Sequence, residues 1–474
     1  MVFTSLEFAL FFVVVYAAYR VLPHRGQNWL LLGASYYFYG SWDWRFLSLL
    51  LGSTIVDFFV ARYLAREEAP ARRKRALILS LVFNLGMLGF FKYFEFFEDS
   101  LVRLGRTVGW EFDPFTLDIL LPIGISFYTF MTISYVIDVY RREIAPTRSL
   151  LDFAVFVAYF PHLVAGPILR ASLLLPQIER PRTITTEQIA SGLWLIGWGC
   201  FQKMFVADNL APLVDTVFGP SATPTGADVL VATWAFAFQI YGDFAGYSNI
   251  ARGTSRLMGI ELNVNFLFPY FVVSPQEFWR NWHISLSTWL RDYLYIPLGG
   301  NRGSSWTTNR NLMITMALGG LWHGAAWTFV IWGLYQGAVL VVARAIQRWA
   351  ARAGVAIPRG LTASRVLLAL LMFQVTCYGW LIFRAQSVEQ LARFTRLLFT
   401  DLAPTAATWQ SLFIPMLTVV APLLAVHAYQ AHRGAEEAPM RLPLVARYSL
   451  YVAVFYAVLL WGDFEGAQFI YFQF

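Results

Sequence analysis

The chain has 474 residues, of which 58% are hydrophobic and only 14% are charged. Soluble domains average about 45–50% apolar and about 25% charged residues, so this composition excludes a water-soluble globule and a disordered chain. The net charge of +7 lies mostly in short loops between apolar segments, where basic residues set the orientation of a membrane protein. The sequence therefore predicts an all-α polytopic integral membrane protein with no nucleic-acid partner.

Apolar segments follow one another along the whole chain, and a span needs about 17–25 residues. Several stretches are too short or are broken by proline and glycine, which suggests re-entrant or tilted helices. Such irregular backbone is tolerated only where it is buried in protein or lines a cavity. We predict about eleven transmembrane helices around an irregular centre, in one domain covering residues 1–474. The clear spans are 6–22, 77–97, 117–139, 229–251, 366–383, 411–428 and 448–461, and the short or broken ones are 29–39, 46–61, 153–169, 192–207 and 311–342.

The basic loops predict the orientation. The loop with Arg72, Arg73, Lys74 and Arg75 is the most basic, so we place it in the cytoplasm. The loop 208–227 has no Lys or Arg and falls outside. The tail 463–474 also lacks basic residues, and the same alternation delivers it to the extracytoplasmic side.

His323 is the best-placed candidate for chemistry. It lies in an apolar run with no charged residue between Arg310 and Arg344, and Gly320 and Gly324 flank it. An ionisable residue inside the membrane is a functional candidate by default, and small neighbours allow a helix or ligand to approach. A neutral imidazole can serve as a general base toward a hydroxyl. The alternative, a histidine hydrogen-bonded to a neighbouring helix, stays open.

His283 lies in a segment that combines tryptophan and arginine side chains, from Phe278 to Asp292. This pattern predicts an amphipathic helix at the membrane surface. In a functional interpretation, nearby arginines receive the phosphates of an anionic nucleotide carrier. Because basic loops are also needed for orientation, a purely interfacial helix remains the alternative. The candidate arginines are Arg280, Arg291, Arg302 and Arg310.

Two further features are candidates for a supporting role. Asp243 lies inside a predicted span, where it could orient a histidine, pair with an arginine, or be a packing carboxylate with a buried partner. The aromatic tail contains Tyr471, whose phenol is either an interfacial anchor or an acyl acceptor. We interpret the remaining histidines at segment ends, including His427, as interfacial or loop residues, and we predict no metal site.

Short motifs occur in order along most of the chain: NLG at 84–86 with FKY at 91–93, LPIGISFY at 121–128, FPH at 160–162, DFAGYS at 243–248, the stretch 277–302 and GLWHG at 320–324. Together they resemble the membrane-bound O-acyltransferase superfamily, and most closely its branch of alginate O-acetyltransferase membrane subunits. The family fold is a ring of helices around a thin centre where two funnels meet.

The resemblance implies transfer of an acyl group from a cytosolic thioester, usually acetyl-CoA, to a hydroxyl, with no tightly bound cofactor. It puts the essential histidine at His323 and a second polar position at His283, with Asp243, Trp322 and Asn281 in support. It also implies a bacterial inner-membrane location, a separate extracytoplasmic partner of the SGNH type, a polysaccharide as the final acceptor, and Tyr471 as an acyl carrier.

Two rival functions stay open at this point. A D-alanyl-type acyltransferase, also suggested by the resemblance, would take its acyl group from a carrier protein. A transporter of polysaccharide or lipid would also use polytopic helices with an intramembrane histidine and aspartate. Against the transporter, the sequence has no internal repeat and no chain of acidic residues through its spans.

Overall fold

The computed structural model describes residues 1–110, 117, 119–164, 166–354, 362–464 and 469–470. These residues form helices without any β-strand among them, which confirms the all-α prediction. In chain order the helices are α1 (Leu6–Val21), α2 (His24–Asp43), α3 (Leu47–Arg66), α4 (Pro70–Leu88), α5 (Phe94–Thr107), α6 (Ile125–Tyr140), α7 (Leu150–Ala158), α8 (Phe160–Leu163), α9 (Ala171–Glu179), α10 (Thr186–Cys200), α11 (Asp208–Phe218), α12 (Gly226–Leu257), α13 (Pro275–Asn281), α14 (Ile284–Leu290), α15 (Ser305–His323), α16 (Trp327–Arg352), α17 (Ala363–Arg384), α18 (Val388–Thr400), α19 (Ile414–Arg433) and α20 (Leu444–Trp461).

Seven helical stretches in the described part of the chain are long and apolar enough to cross a membrane. The sequence-based count of about eleven also included short helices such as α1 and α6, each of 16 residues. At 1.5 Å per residue these reach about 24 Å, less than the hydrocarbon thickness of about 30 Å. The seven stretches are His24–Arg66, Pro70–Thr107, Gly226–Leu257, Trp327–Arg352, Ala363–Arg384, Thr408–Arg433 and Leu444–Trp461.

The interrupted runs break where the sequence predicted. The apolar run 153–169 separates into α7 and the single turn α8. The run 311–342 divides between α15 and α16, with extended backbone at Gly324. The span expected over 117–139 is shorter than predicted, because α6 begins only at Ile125. Its preceding residue, Gly124, has a φ of 75°, a left-handed conformation that glycine adopts without strain and that no continuous helix contains.

The chain packs as two compact units. The first comprises Met1–Leu193 with Ala251–Asn263, and the second comprises Trp194–Ile250 with Val264–Phe474. The single domain predicted over 1–474, with its tail 463–474, stays a prediction. In the first unit α3 packs against α4, α6 and α7. There Asp57 is fully buried and accepts hydrogen bonds from Ser80 Oγ at 2.5 Å and Asn84 Nδ2 at 2.9 Å.

Helices α15 and α16 pack along one another in the second unit. A Cβ atom at Gly320 would overlap the carbonyl oxygen of Phe329, and one at Gly333 would overlap that of Met316. Small residues therefore allow the two backbones to touch, as expected for helices that associate in a membrane. This contact fixes the C-terminal end of α15, where His323 is the last helical residue.

Candidate active site

His323 is buried among aromatic rings at the end of α15, with 4% of its surface exposed. Its imidazole lies edge-on to three of them, with ring centroids 5.1 Å from Trp322, 5.0 Å from Trp332 and 5.5 Å from Phe383. Edge-to-face rings at such distances restrict one another's orientation. The imidazole is therefore held in a fixed, largely apolar environment, which suits a neutral base.

His283 also lies near Trp322. Its ring centroid is 6.1 Å from that of Trp322 and 4.6 Å from that of Phe244. The structure therefore brings the two candidate histidines to a common indole in the second unit. His283 is fully buried and precedes α14 with a φ of 42°, an uncommon conformation for a residue with a side chain.

Asn265 holds His283 in this conformation. Its Oδ1 accepts hydrogen bonds from the backbone N–H of Ser285 at 3.2 Å and from Ser285 Oγ at 2.9 Å, and it lies 3.3 Å from His283 Nδ1. Its backbone carbonyl accepts from Ile284 at 2.9 Å. Because Asn265 Oδ1 accepts the N–H of Ser285, the tautomer of His283 that completes this network has its hydrogen on Nδ1, which then donates a hydrogen bond to Asn265.

The protonation of His283 follows from its burial. Removal from water disfavours the charged imidazolium, and burial lowers the pKa of His283 to about 3. The ring is therefore neutral near pH 7. With Nδ1 protonated, Nε2 is the basic nitrogen of the neutral ring.

Asp243 belongs to a buried cluster of three charged side chains. Lys203 Nζ lies 2.6 Å from Asp243 Oδ1 and 2.7 Å from Asp208 Oδ1, and at most 4% of any of these side chains is exposed. The partner of Asp243 is thus a buried lysine, which matches the alternative of a packing carboxylate with a buried partner and not the arginine pair. Lys203 lies in Phe201–Ala207, a wider π-helical segment that continues α10.

The C-terminal segment contacts the cluster of Lys203, Asp208 and Asp243. The backbone N–H of Ile470 donates a hydrogen bond of 2.7 Å to Asp243 Oδ2. Phe469 is fully buried, and its ring centroid lies 5.5 Å from Phe244, the ring that also contacts His283. The predicted acyl carrier, Tyr471, is the next residue and lies outside the described residues.

The other predicted residues are not drawn into this cluster by any described contact. Asn281 is half-buried and accepts from the N–H of Leu267 through its backbone carbonyl. All four candidate arginines are exposed at the surface. Arg291 pairs with Asp292 at 2.6 Å, and Arg310 donates to the side chain of its neighbour Asn311. The four arginines are Arg280, Arg291, Arg302 and Arg310.

His427 was wrongly interpreted from the sequence as an interfacial or loop residue. It is 4% exposed, its Nε2 lies 3.3 Å from Tyr241 Oη, and its ring packs against that of Trp198. The reason is that α19 continues to Arg433, so His427 lies one and a half turns inside the helix. In the first unit, His162 is also buried, and its Nε2 lies 3.1 Å from the carbonyl oxygen of Phe156.

Lys203 and Asn265 were not singled out as site residues from the sequence. Lys203 is the one charged residue in the apolar run 192–207, so the rule that selected Asp243 would have selected it too. Asn265 lies in an irregular loop, and its role depends on a contact with α14 that no sequence spacing encodes. In the described part of the chain no three His, Cys, Asp or Glu side chains are arranged to hold a metal ion.

Comparison with known proteins identifies similar sequences. The profile of MBOAT, the membrane-bound O-acyltransferase family, matches residues 141–382, which include His323, His283 and Asp243. The protein named "Probable alginate O-acetylase AlgI" in Azotobacter vinelandii is 45% identical over 84% of this chain and 78% of its own length. The protein of that name in Pseudomonas aeruginosa is 44% identical over 86% of this chain and 76% of its own length. The peptidoglycan O-acetyltransferase of Helicobacter pylori is 36% identical over 78% and 73%.

Proposed function

The chain belongs to the membrane-bound O-acyltransferase family, and from this premise we propose that it lies in the bacterial cytoplasmic membrane and O-acetylates a polysaccharide. It is a multi-pass membrane protein and an O-acyltransferase. Similarity to proteins named for O-acetylation of alginate and peptidoglycan supports an acetyl group as the cargo. The same names support a polysaccharide hydroxyl as its final acceptor.

The observation that carries the mechanism is the position of His323. It is a buried imidazole in an aromatic environment, next to the ring shared with His283. A positioned base of this kind accelerates proton transfer from a hydroxyl by about 10²–10⁴-fold.

In the proposed first step the donor is cytosolic acetyl-CoA and the acceptor is the phenol of Tyr471. The phenol gives its proton to His323 while its oxygen attacks the carbonyl carbon of the thioester. The tetrahedral intermediate then collapses, the carbon–sulfur bond breaks, and the CoA thiolate takes up the proton from His323. A free phenol has a pKa of about 10, so this attack requires a base near pH 7.

In the proposed second step the acetyl group leaves Tyr471 on the extracytoplasmic side. A serine hydroxyl of a separate SGNH-type subunit attacks the acetyl carbonyl, the ester bond to the tyrosine oxygen breaks, and the phenol regains a proton. The sugar hydroxyl then attacks the acetyl-serine, and the serine leaves with its proton restored. Splitting one transfer into several lowers the barrier of each and keeps CoA in the cytoplasm. The burial of Phe469 and Ile470 beside Asp243 and Phe244 supports an acceptor that reaches the interior.

The donor's phosphates are proposed to bind on the cytoplasmic surface at Arg280, Arg302 and Arg310, which are exposed. Arg291 is a weaker candidate, because Asp292 already neutralises its guanidinium. Guanidinium groups bind phosphate in a bidentate geometry that lysine cannot match. Replacing Arg302 and Arg310 by Gln is therefore expected to raise the KM for acetyl-CoA while changing kcat little.

The experiment that tests this function measures CoA release by the full-length purified protein, supplied with acetyl-CoA. We expect release in the wild type and a loss of at least about 100-fold in His323→Ala. His427→Gln is the matched control, since it removes another buried imidazole of the same unit, and it should retain activity.

Two results would contradict the proposal. Equal rates in His323→Ala and His427→Gln would remove the role of His323 as the base. Acyl transfer from an aminoacyl carrier protein, with no turnover of acetyl-CoA, would instead establish the D-alanyl-type reaction.

A further inference from the structure

We propose that the buried Lys203–Asp243 ion pair anchors the C-terminal segment and thereby positions residue 471 for acyl transfer. Lys203 and Asp243 are positioning residues in this proposal, and they do not touch the reacting atoms. The proposal rests on the proposed function only for what Tyr471 does chemically. The anchoring itself is a separate property, which can be measured without any acyl donor.

The anchor contacts the segment through its backbone. Asp243 Oδ2 accepts the N–H of Ile470 at 2.7 Å, immediately before residue 471. The flanking side chains are buried as well, with Phe469 fully buried and Ile470 only 5% exposed. Phe469 packs between the rings of Phe244 and Tyr247, at 5.5 and 4.7 Å. A hydrogen bond to a carboxylate is stronger than one to a neutral group.

Lys203 favours the ionised carboxylate of Asp243, which accepts the stronger hydrogen bond from the N–H of Ile470. A carboxylate without a partner in a dry interior neutralises itself by taking a proton. Lys203 Nζ lies 2.6 Å from Asp243 Oδ1 and 2.7 Å from Asp208 Oδ1, so the two carboxylates share one ammonium charge. Asp243 Oδ1 is occupied by the lysine, which leaves Oδ2 directed at the backbone N–H of Ile470.

The same π-helical segment, Phe201–Ala207, also holds the beginning of the tail. The carbonyl oxygen of Met204 accepts the N–H of Asp463 at 3.1 Å. Next to it, Asn209 Nδ2 donates to the carbonyl of Trp461, the last residue of α20, at 2.7 Å. Residues 461 and 463 are thus held by Asn209 and Met204, and residues 469 and 470 by α12, whose Asp243 pairs with Lys203.

Close backbone packing explains why a lysine can reach Asp243 here. A Cβ atom at Gly246 would lie 2.7 Å from the carbonyl oxygen of Gly199 and 2.9 Å from the backbone nitrogen of Lys203. Only glycine allows α12 and the segment carrying Lys203 to come this near. Gly242 and Gly246 flank Asp243 in the sequence, and this small-xxx-small spacing is a common way to bring membrane helices together.

The consequence for the reaction is positional. Consecutive Cα atoms are about 3.8 Å apart, so anchoring Ile470 limits where Tyr471 can be. In the proposed reaction, an acceptor that is held in place shares the large rate advantage of an intramolecular reaction. A loose tail would lose that advantage even with its phenol intact.

The test compares two variants of Ile470 in the full-length purified protein. Ile470→Pro deletes the N–H donor, and Ile470→Val keeps it. Hydrogen–deuterium exchange of the C-terminal peptide is read first, without donor. Acetylation of Tyr471 by labelled acetyl-CoA is read second. We expect Ile470→Pro to raise amide exchange in the tail and to lower labelling about 10- to 100-fold, while Ile470→Val stays near the wild type.

Asp243 variants provide the second arm. Asp243→Asn keeps an oxygen that can accept the N–H of Ile470, whereas Asp243→Leu has none. Tail protection should therefore fall more in Asp243→Leu than in Asp243→Asn. The general control is Asp215→Asn, which removes the charge of a 63% exposed aspartate paired with Arg384 and should leave exchange and labelling unchanged. If the Asp243 variants fail to fold, the comparison of Ile470→Pro with Ile470→Val still tests whether the anchor exists.

The outcomes separate the anchor from the acyl carrier. Increased tail exchange in Ile470→Pro and Asp243→Leu, without acetyl on Tyr471 in any protein, would support the anchor and refute Tyr471 as carrier. Unchanged tail exchange in both variants would overturn the anchor, whatever happens to the acetyl group.

Discussion

The second unit contains two buried polar clusters that are built in different ways. Around His323 and His283 the surroundings are mostly aromatic rings, with Trp322 shared between them. Around Lys203 the surroundings are charges, with Asp208 and Asp243 on the same ammonium. The first arrangement favours neutral groups, and the second favours ions that compensate one another.

This difference indicates a division of roles. A base must change its protonation state during a reaction, and a neutral imidazole among rings can do so. A buried ion pair resists any change of charge, because each ion left alone is costly, so it is better suited to holding structure in place. Residues 469 and 470 contact both regions, with Phe469 against Phe244, the ring that also packs on His283, and Ile470 bonded to Asp243.

The largest expected effect follows from removing the base. His323→Ala should lower acetyl transfer by about 10²–10⁴-fold, while the protein still inserts and elutes as a single species in size-exclusion chromatography. Because the aromatic cluster is assigned to catalysis, activity should be lost while the fold is kept. A His323→Ala protein that lost its activity and its fold together would contradict this assignment.

Removing the central cation should act on stability. Lys203→Met leaves Asp208 and Asp243 buried without their cation, and breaking a buried pair in this way costs about 3–5 kcal/mol. Thermal unfolding of the purified protein in detergent measures the change. An unfolding temperature equal to that of the wild type would mean that the charges are not compensated by Lys203.

A smaller effect is expected from the helix contact that places His323. Gly333→Ala adds a methyl group against the carbonyl of Met316 on α15, and such overpacking costs about 1–3 kcal/mol. Because α15 ends at His323, kcat should fall along with stability. Gly33→Ala on α2, whose added carbon would meet no atom within 4 Å, shows the effect of a glycine change outside the contact.

Asn265→Ala tests whether the hydrogen bonds of Asn265 fix the orientation of His283. It removes the acceptor of His283 Nδ1–H and of Ser285, and leaving buried donors without an acceptor costs about 1–3 kcal/mol. Asn265→Asp keeps the acceptor oxygens and should recover part of the activity. Equal activity in Asn265→Ala and the wild type would show that the orientation of His283 does not matter for transfer.

The smallest effect is expected at the surface. Asp215→Asn breaks the pair with Arg384, in which 63% of the aspartate side chain is exposed, and exposed pairs contribute about 0–1 kcal/mol. Unfolding temperature and transfer rate should therefore stay near those of the wild type. A fall in unfolding temperature as large as that in Lys203→Met would mean that the buried and the exposed pair contribute equally to stability.

The sequence predicted the helical class and the breaks in its helices and singled out His323 as a candidate, for identifiable reasons. Composition sets the class, and glycine and proline mark where helices break, as at Gly124 before α6. His323 stood out because a lone ionisable group in an apolar run is costly. These properties depend on local sequence, so they can be read without a fold.

The partners of these residues could not be predicted in the same way. Lys203 meets Asp243 because a π-helical turn and two glycines bring α10 and α12 together, and no spacing along the chain encodes that distance. Asn265 reaches His283 from an irregular loop. His427 was misplaced because its helix runs further than the apolar pattern.

Peptide mapping after incubation with isotope-labelled acetyl-CoA tests the central claim most directly. The account predicts an acetyl group on Tyr471 in the wild type and in His427→Gln, and none in His323→Ala. Release of CoA with no label on Tyr471, in a protein whose C-terminal peptide is recovered intact, would contradict the relay through the C-terminal segment.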